Sequence, residues 1–185
     1  MRRFLALLLF AFPLLAADKE PTAFDLAREG NRYVGEQAKD KIVQIRSERS
    51  IGSLTPKVWY VIYFDPTATF KSVEVKFGGG KMIDVKRPFR MIEMIGDASK
   101  PMDHDKLKVD SDAAIEKTLA EPILKDIKVK SVEAKLENTS TGPVWRMRLW
   151  AEKVNGRDVA DIGKISVTAD DGKVIETDIH LDRLG

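Results

Sequence analysis

None of the 185 residues is a cysteine. That excludes disulfides, thiol chemistry, a cysteine zinc site and a bacterial lipoprotein anchor. Histidine is almost as scarce. His104 and His180 are the two present, and their spacing supports no catalytic triad. No serine stands in a Gly-x-Ser-x-Gly setting. Surplus charge is missing as well. There are 31 Lys and Arg against 29 Asp and Glu, but Arg2 and Arg3 belong to a stretch that reads as a removable leader, and without them the 31 falls to 29. Non-specific nucleic-acid binding needs excess positive charge to displace counterions, so nucleic acid is not expected as a partner. Nothing converges on a catalytic set, a metal or a cofactor, and a non-catalytic chain is expected.

What is present begins with targeting. Met1-Arg2-Arg3 is a positive start, and Phe4 to Ala17 is an apolar run of about 14 residues, within signal-peptide range and short for a span. Residues 1–17 therefore read as a Sec-type signal peptide. A periplasmic or secreted protein is expected, with no stable membrane span after cleavage. Without disulfides, such a protein relies on its core.

The remaining chain reads as α+β: two tandem repeats, each a helix packed on an antiparallel sheet of three to four strands. The first occupies 18–88. Thr22 and Asp25 fit a capping box, and Leu26, Ala27, Tyr33, Val34 and Ala38 follow a helical face, with Gly30 as its weak point. Strands follow over Ile42 to Arg49, Lys57 to Phe64 and Phe70 to Phe77. After a Gly78-Gly79-Gly80 turn comes Lys81 to Arg87, with Ile83 and Val85 inward. Residues 89–108 read as a linker, with a short helix over Phe89 to Ile95. The second repeat, 109–185, opens with Asp110 as helix cap and Ala114, Ile115, Leu119 and Ile123 as the buried stripe. Ile127 to Glu137 is a strand whose inward parity slips between Val129 and Val132, which predicts a bulge or a late start. Trp145, Met147, Leu149 and Ala151 alternate inward, as do Ile165, Val167 and Ala169. After the Asp170-Asp171-Gly172-Lys173 turn, Ile175, Thr177, Ile179 and Leu181 continue the inward set.

Three stretches of the second half resemble the PepSY domain family: Asp112-Ala113-Ala114-Ile115, Pro143-Val144-Trp145-Arg146-Met147, and Ile165 to Val174 with its acidic turn. The first half resembles a degenerate copy, with three glycines in place of that turn. The resemblance implies an extracytoplasmic bacterial protein with a non-catalytic fold and a role in inhibiting or regulating peptidases. It also implies a layout similar to the β-lactamase inhibitor protein. The matching residues are fold determinants and bring no site residue with them.

Site candidates therefore come from strand parity. Arg146, Arg148 and Trp150 point away from the core, as do Tyr60 and Ile62 in the first half. Tryptophan, tyrosine and arginine favour interface centres, so these five are the candidate partner-binding residues. Either another part of the chain covers this apolar outer row, or a partner does. The expected partner is an envelope or secreted protein, a peptidase among the options. The alternative is a structural or assembly protein of the cell envelope that self-associates into an oligomer. The Asp103-His104-Asp105 cluster and the Asp170-Asp171 pair read as linker and hairpin turn rather than as metal ligands.

Overall fold

The computed structural model describes residues 20–87 and 100–185. The leader at 1–17 and the short helix expected over Phe89 to Ile95 lie outside them. In chain order the elements are α1 (Ala23–Gly30), β1 (Ile42–Ser47), β2 (Val58–Phe64), β3 (Ser72–Gly78), β4 (Lys81–Lys86), α2 (Ser111–Leu119), β5 (Val129–Thr139), β6 (Gly142–Glu152), β7 (Val159–Thr168) and β8 (Val174–Ile179). All strands join one sheet in the order β4-β3-β2-β1-β5-β6-β7-β8, with every neighbouring pair antiparallel.

The two tandem helix-on-sheet repeats expected from the sequence are thereby overturned. β1 pairs with β5, Ile45 opposite Leu136, and this closes what would have been two separate edges. The result is an eight-stranded sheet with two short helices on a single core. Strand parity identifies which side chains face in, but not which strand is the neighbour.

The β1–β5 ladder is short, spanning Gln44 to Arg46. Past Arg46, serine hydroxyls take over from backbone carbonyls. Ser47 Oγ accepts from Ala134 N–H and Ser50 Oγ from Val132 N–H, both at 2.9 Å, while Ser50 N–H donates to the Val132 carbonyl. Beneath this seam lies the core. Trp59 and Trp145 meet edge to face, centroids 6.5 Å apart, and Phe24 of α1 lies 6.0 Å from Trp145. Each indole N–H finds a carbonyl, Pro56 for Trp59 and Val109 for Trp145. The helix starts also meet. Asp110, the cap of α2, accepts from Ser111 N–H and from Phe24 N–H of α1, while Ser111 Oγ accepts from Ala23 N–H. One carboxylate thus serves two helix N-termini, where partial positive charge collects.

Local expectations fare unevenly. The Thr22–Asp25 capping box forms. So does the slip in β5, a register shift between Val129 and Ser131. Trp145, Met147, Leu149, Ala151, Ile165, Val167 and Ala169 are all fully buried. Helix α1, however, stops at Gly30, and Tyr33 lies beyond it, exposed; α2 likewise stops at Leu119, and Ile123 lies beyond it, exposed. Gly30 is no weak point: a Cβ there would stand 2.1 Å from the Tyr63 hydroxyl, which donates to the Ala27 carbonyl. Ile83 and Ile175 do not face in. Each is the extra residue of a bulge on an outermost strand, between Asp84 and Met82 in β4 and between Val174 and Glu176 in β8, and they are 57% and 50% exposed.

The serine-completed seam gives a direct test. Ser50→Ala leaves the Val132 amide buried without its acceptor and is expected to cost about 1–3 kcal/mol. Urea denaturation should show this as a lower midpoint of one transition, since the core is continuous. Two separate transitions in the parent protein would contradict a single cooperative sheet.

Candidate partner-binding face

Both helices pack on the face that carries Trp59, Tyr63 and Trp145. The opposite face is built by strand register alone. One row crosses all eight strands: Asp84, Lys76, Tyr60, Arg46, Lys135, Arg146, Ser166 and Glu176. Beside it on the second half run Glu133, Arg148, Lys164 and Asp178. Trp150 stands one step further along β6, opposite Asp161. Four of the five residues chosen from the sequence therefore share one continuous surface. The fifth, Ile62, lies in a different row with Gln44, Glu137 and Val144, and that row is buried, Ile62 being 6% exposed. It lies on the same face, beside the exposed row.

The two aromatic rings of the outer row are covered by cations. The Arg46 guanidinium lies 4.1 Å from the Tyr60 ring centre and Lys76 Nζ 4.9 Å from it. Arg49 and Arg148 flank Trp150 at 4.6 and 5.3 Å. Cations over aromatic faces are attracted by the ring quadrupole, and long aliphatic stems shield apolar surface while their charged heads stay wet. Both aromatic side chains thus stand among polar neighbours and are shielded by cation stems.

Carboxylates hold Arg46, Lys76 and Arg148 in place. Tyr60 donates its hydroxyl to Glu48 at 2.6 Å, and Lys76 reaches the same oxygen at 3.2 Å. The Tyr60 phenol, then Lys76, holds the Glu48 carboxyl below its ordinary range. Arg46 pairs with Glu74 at 2.8 Å. Glu137, in the buried row alongside, takes both Lys135 and Arg146, and Arg146 Nε is buried with no hydrogen-bond partner among the described residues. Arg148 grips Asp161 through Nε and Nη2, at 2.8 and 2.5 Å. Asp161 is aimed by a bulge: the register shifts opposite Leu149 and Trp150, and Gly163 N–H donates to Asp161 Oδ1 at 2.9 Å. Gly163 sits at φ +112°, and a Cβ on it would be 2.0 Å from the Asp178 carbonyl oxygen, so the bulge requires glycine.

Sequence reading missed Arg46, Glu48, Arg49, Lys76 and Asp161. Arg46 and Lys76 carry a signal, the same outward parity as Tyr60. Arg49 follows the end of its strand, where parity has no meaning, and Asp161 depends on a bulge.

The other candidates have local duties. Asp171 accepts from Thr168 Oγ1 and Lys173 N–H inside the β7–β8 hairpin, Gly172 takes φ +72°, and Asp170 pairs with Lys108. Asp103 caps a short turn by accepting from Asp105 N–H, and His104 Nε2 meets the Asp40 carbonyl. His180 lies 3.1 Å from Asp178. Among the described residues no group of three or more His, Asp or Glu is placed to hold a metal ion, and no helix is long and apolar enough to cross a membrane. Comparison with family models, with curated proteins and with solved structures finds no match.

The Arg148–Asp161 fork has a titration signature. Burial acts to raise the Asp161 pKa, but Arg148 and the Gly163 N–H outweigh it and hold the carboxyl below its ordinary value. A carboxyl lowered in the folded state stabilises the fold above its unfolded pKa of about 4, and that contribution fades as pH falls through the folded value. Carboxyl NMR should therefore find Asp161 titrating below an unfolded-chain aspartate, and Arg148→Ala should move its midpoint upward. An unmoved midpoint would show that the fork does not set it.

Proposed function

We propose that the chain is a non-catalytic, extracytoplasmic protein-binding module that engages its partner with the sheet face opposite α1 and α2. The observation that carries this is the pair of cation-flanked aromatic rings, Tyr60 in the first half and Trp150 in the second, on one face of the eight-stranded sheet. A partner that lays apolar or acidic groups on this face meets rigid strand-borne side chains already held by ion pairs, so little side-chain entropy is lost on docking. Aromatic and arginine residues in such settings supply most of the energy in measured interfaces.

Location outside the cytoplasm rests on the Arg2-Arg3 and Phe4 to Ala17 leader. Relationship to PepSY domains, and with it a peptidase as partner and a regulatory role, rests on the resemblance of Asp112 to Val174. The alternative, an envelope assembly protein acting by self-association, has less support. Both rims of the sheet carry bulges and charged side chains, such as Lys86 in β4 and Glu176 in β8, which resist edge-to-edge pairing.

Affinity capture from the envelope fraction tests the first reading. Arg148→Ala with Trp150→Ala should weaken retention of the partner by about tenfold or more, with an unchanged circular dichroism spectrum. Equal capture by the variant would rule out this face. Light scattering across a concentration series should give one molar mass. A mass that rises with concentration would favour self-association instead.

A further inference from the structure

A cleft of about 860 Å³ opens where β1 and β5 diverge. Its floor is Val129, Lys130 and Ser131 at the start of β5. One wall is the segment that leaves β1, from Glu48 to Leu54, and the other is the β6–β7 loop from Gly156 to Val159. The lining combines two features. Ile51, 88% exposed, stands with Leu54 and Val159 as an aliphatic rim. Three cations, Arg49, Lys130 and Arg157, face the same space.

Three carboxylates, Glu48, Glu152 and Asp158, line the cleft with these cations, but the charges are not paired one to one. Lys130 is spent on Glu152, 2.7 Å away, and Glu152 also holds Lys128. Glu48 is taken by Tyr60 and Lys76. Asp158 faces Asn155. Arg49 has the Trp150 ring as its partner, and among the described residues neither its guanidinium nor that of Arg157 has a carboxylate. Two planar guanidiniums without counter-charges, each able to take a carboxylate through two parallel hydrogen bonds, stand beside exposed aliphatic side chains.

We infer that this cleft receives an acidic, apolar-flanked segment of the partner protein, with its carboxylates on Arg49 and Arg157 and its aliphatic side chains against Ile51, Leu54 and Val159. This rests on the protein-binding reading and gives the partner a chemistry. Arg49 makes the two surfaces continuous, since it lines the cleft and lies on Trp150. The volume is in the range of sites that enclose a short segment or a drug-sized ligand.

Fluorescence anisotropy of the full chain tests it with labelled peptides of alternating Val and Glu, or the same peptides with Gln or Lys in place of Glu. The Glu peptide should bind saturably, the Gln peptide about tenfold more weakly, and the Lys peptide not measurably. Arg157→Glu should reverse that order, and Arg49→Lys should keep it. Equal binding of the Glu and Gln peptides, or no saturable binding of the Glu peptide, would overturn the inference. The failures are separable. If the Glu peptide does not bind but the Arg148→Ala, Trp150→Ala variant loses the partner, the cleft is refuted and the face stands. If the peptide binds and capture ignores the face variant, the face is refuted and the cleft stands.

Discussion

The join between β1 and β5 is what the rest of the molecule depends on. By backbone pairing alone it is weak, a ladder from Gln44 to Arg46. Its strength comes from what lies along and under it. Ser47 and Ser50 extend it with side-chain acceptors, and the Trp59–Trp145 contact sits beneath it. Those tryptophans come from β2 and β6, the strands on either side of the seam pair. Asp110 then binds α1 to α2 at their starts. The connections across the seam differ in kind, so no single one carries the join.

Joining the halves makes their outer sides one surface. A strand apolar on both sides, such as Val58–Phe64, calls for cover on both faces. Within each half, register already brings Arg46 and Lys76 beside Tyr60, and Arg148 beside Trp150. The join adds Arg49, which leaves β1 and lies on Trp150 of β6. Cation stems thus shield both rings. The same register supplies Glu74, Glu137 and Asp161 to anchor the cations. The cations beside the rings are therefore fixed by charges of the same face.

Much of the local structure was legible in the sequence because it depends on neighbours in the chain. The Thr22–Asp25 cap, the Asp110 cap, the slip in β5 and the inward set from Trp145 to Ala151 all follow from periodicity or from side chains a few residues apart. What was not legible depends on residues far apart. Parity gives each strand two faces but no partner, so two sheets and one sheet looked alike. It also assumes two residues per repeat throughout, and Ile83 and Ile175 break that assumption. Of the candidate site, the residues on strands could be read and those on loops could not. Tyr60, Arg146, Arg148 and Trp150 were found by parity. Arg49 was reachable only once the chain past Ser47 had been placed over β6.

The bulges at Ile83 and Ile175 have a consequence for behaviour at high concentration. A wide, flat antiparallel sheet is a template on which further chains can stack, and the first step is to add a strand in register at a rim. Here each rim strand is twisted out of register by one residue next to its own neighbour. An incoming strand would meet a kinked ladder on both sides of the sheet, and fibril growth would be blocked at its first step, before any core residue is exposed.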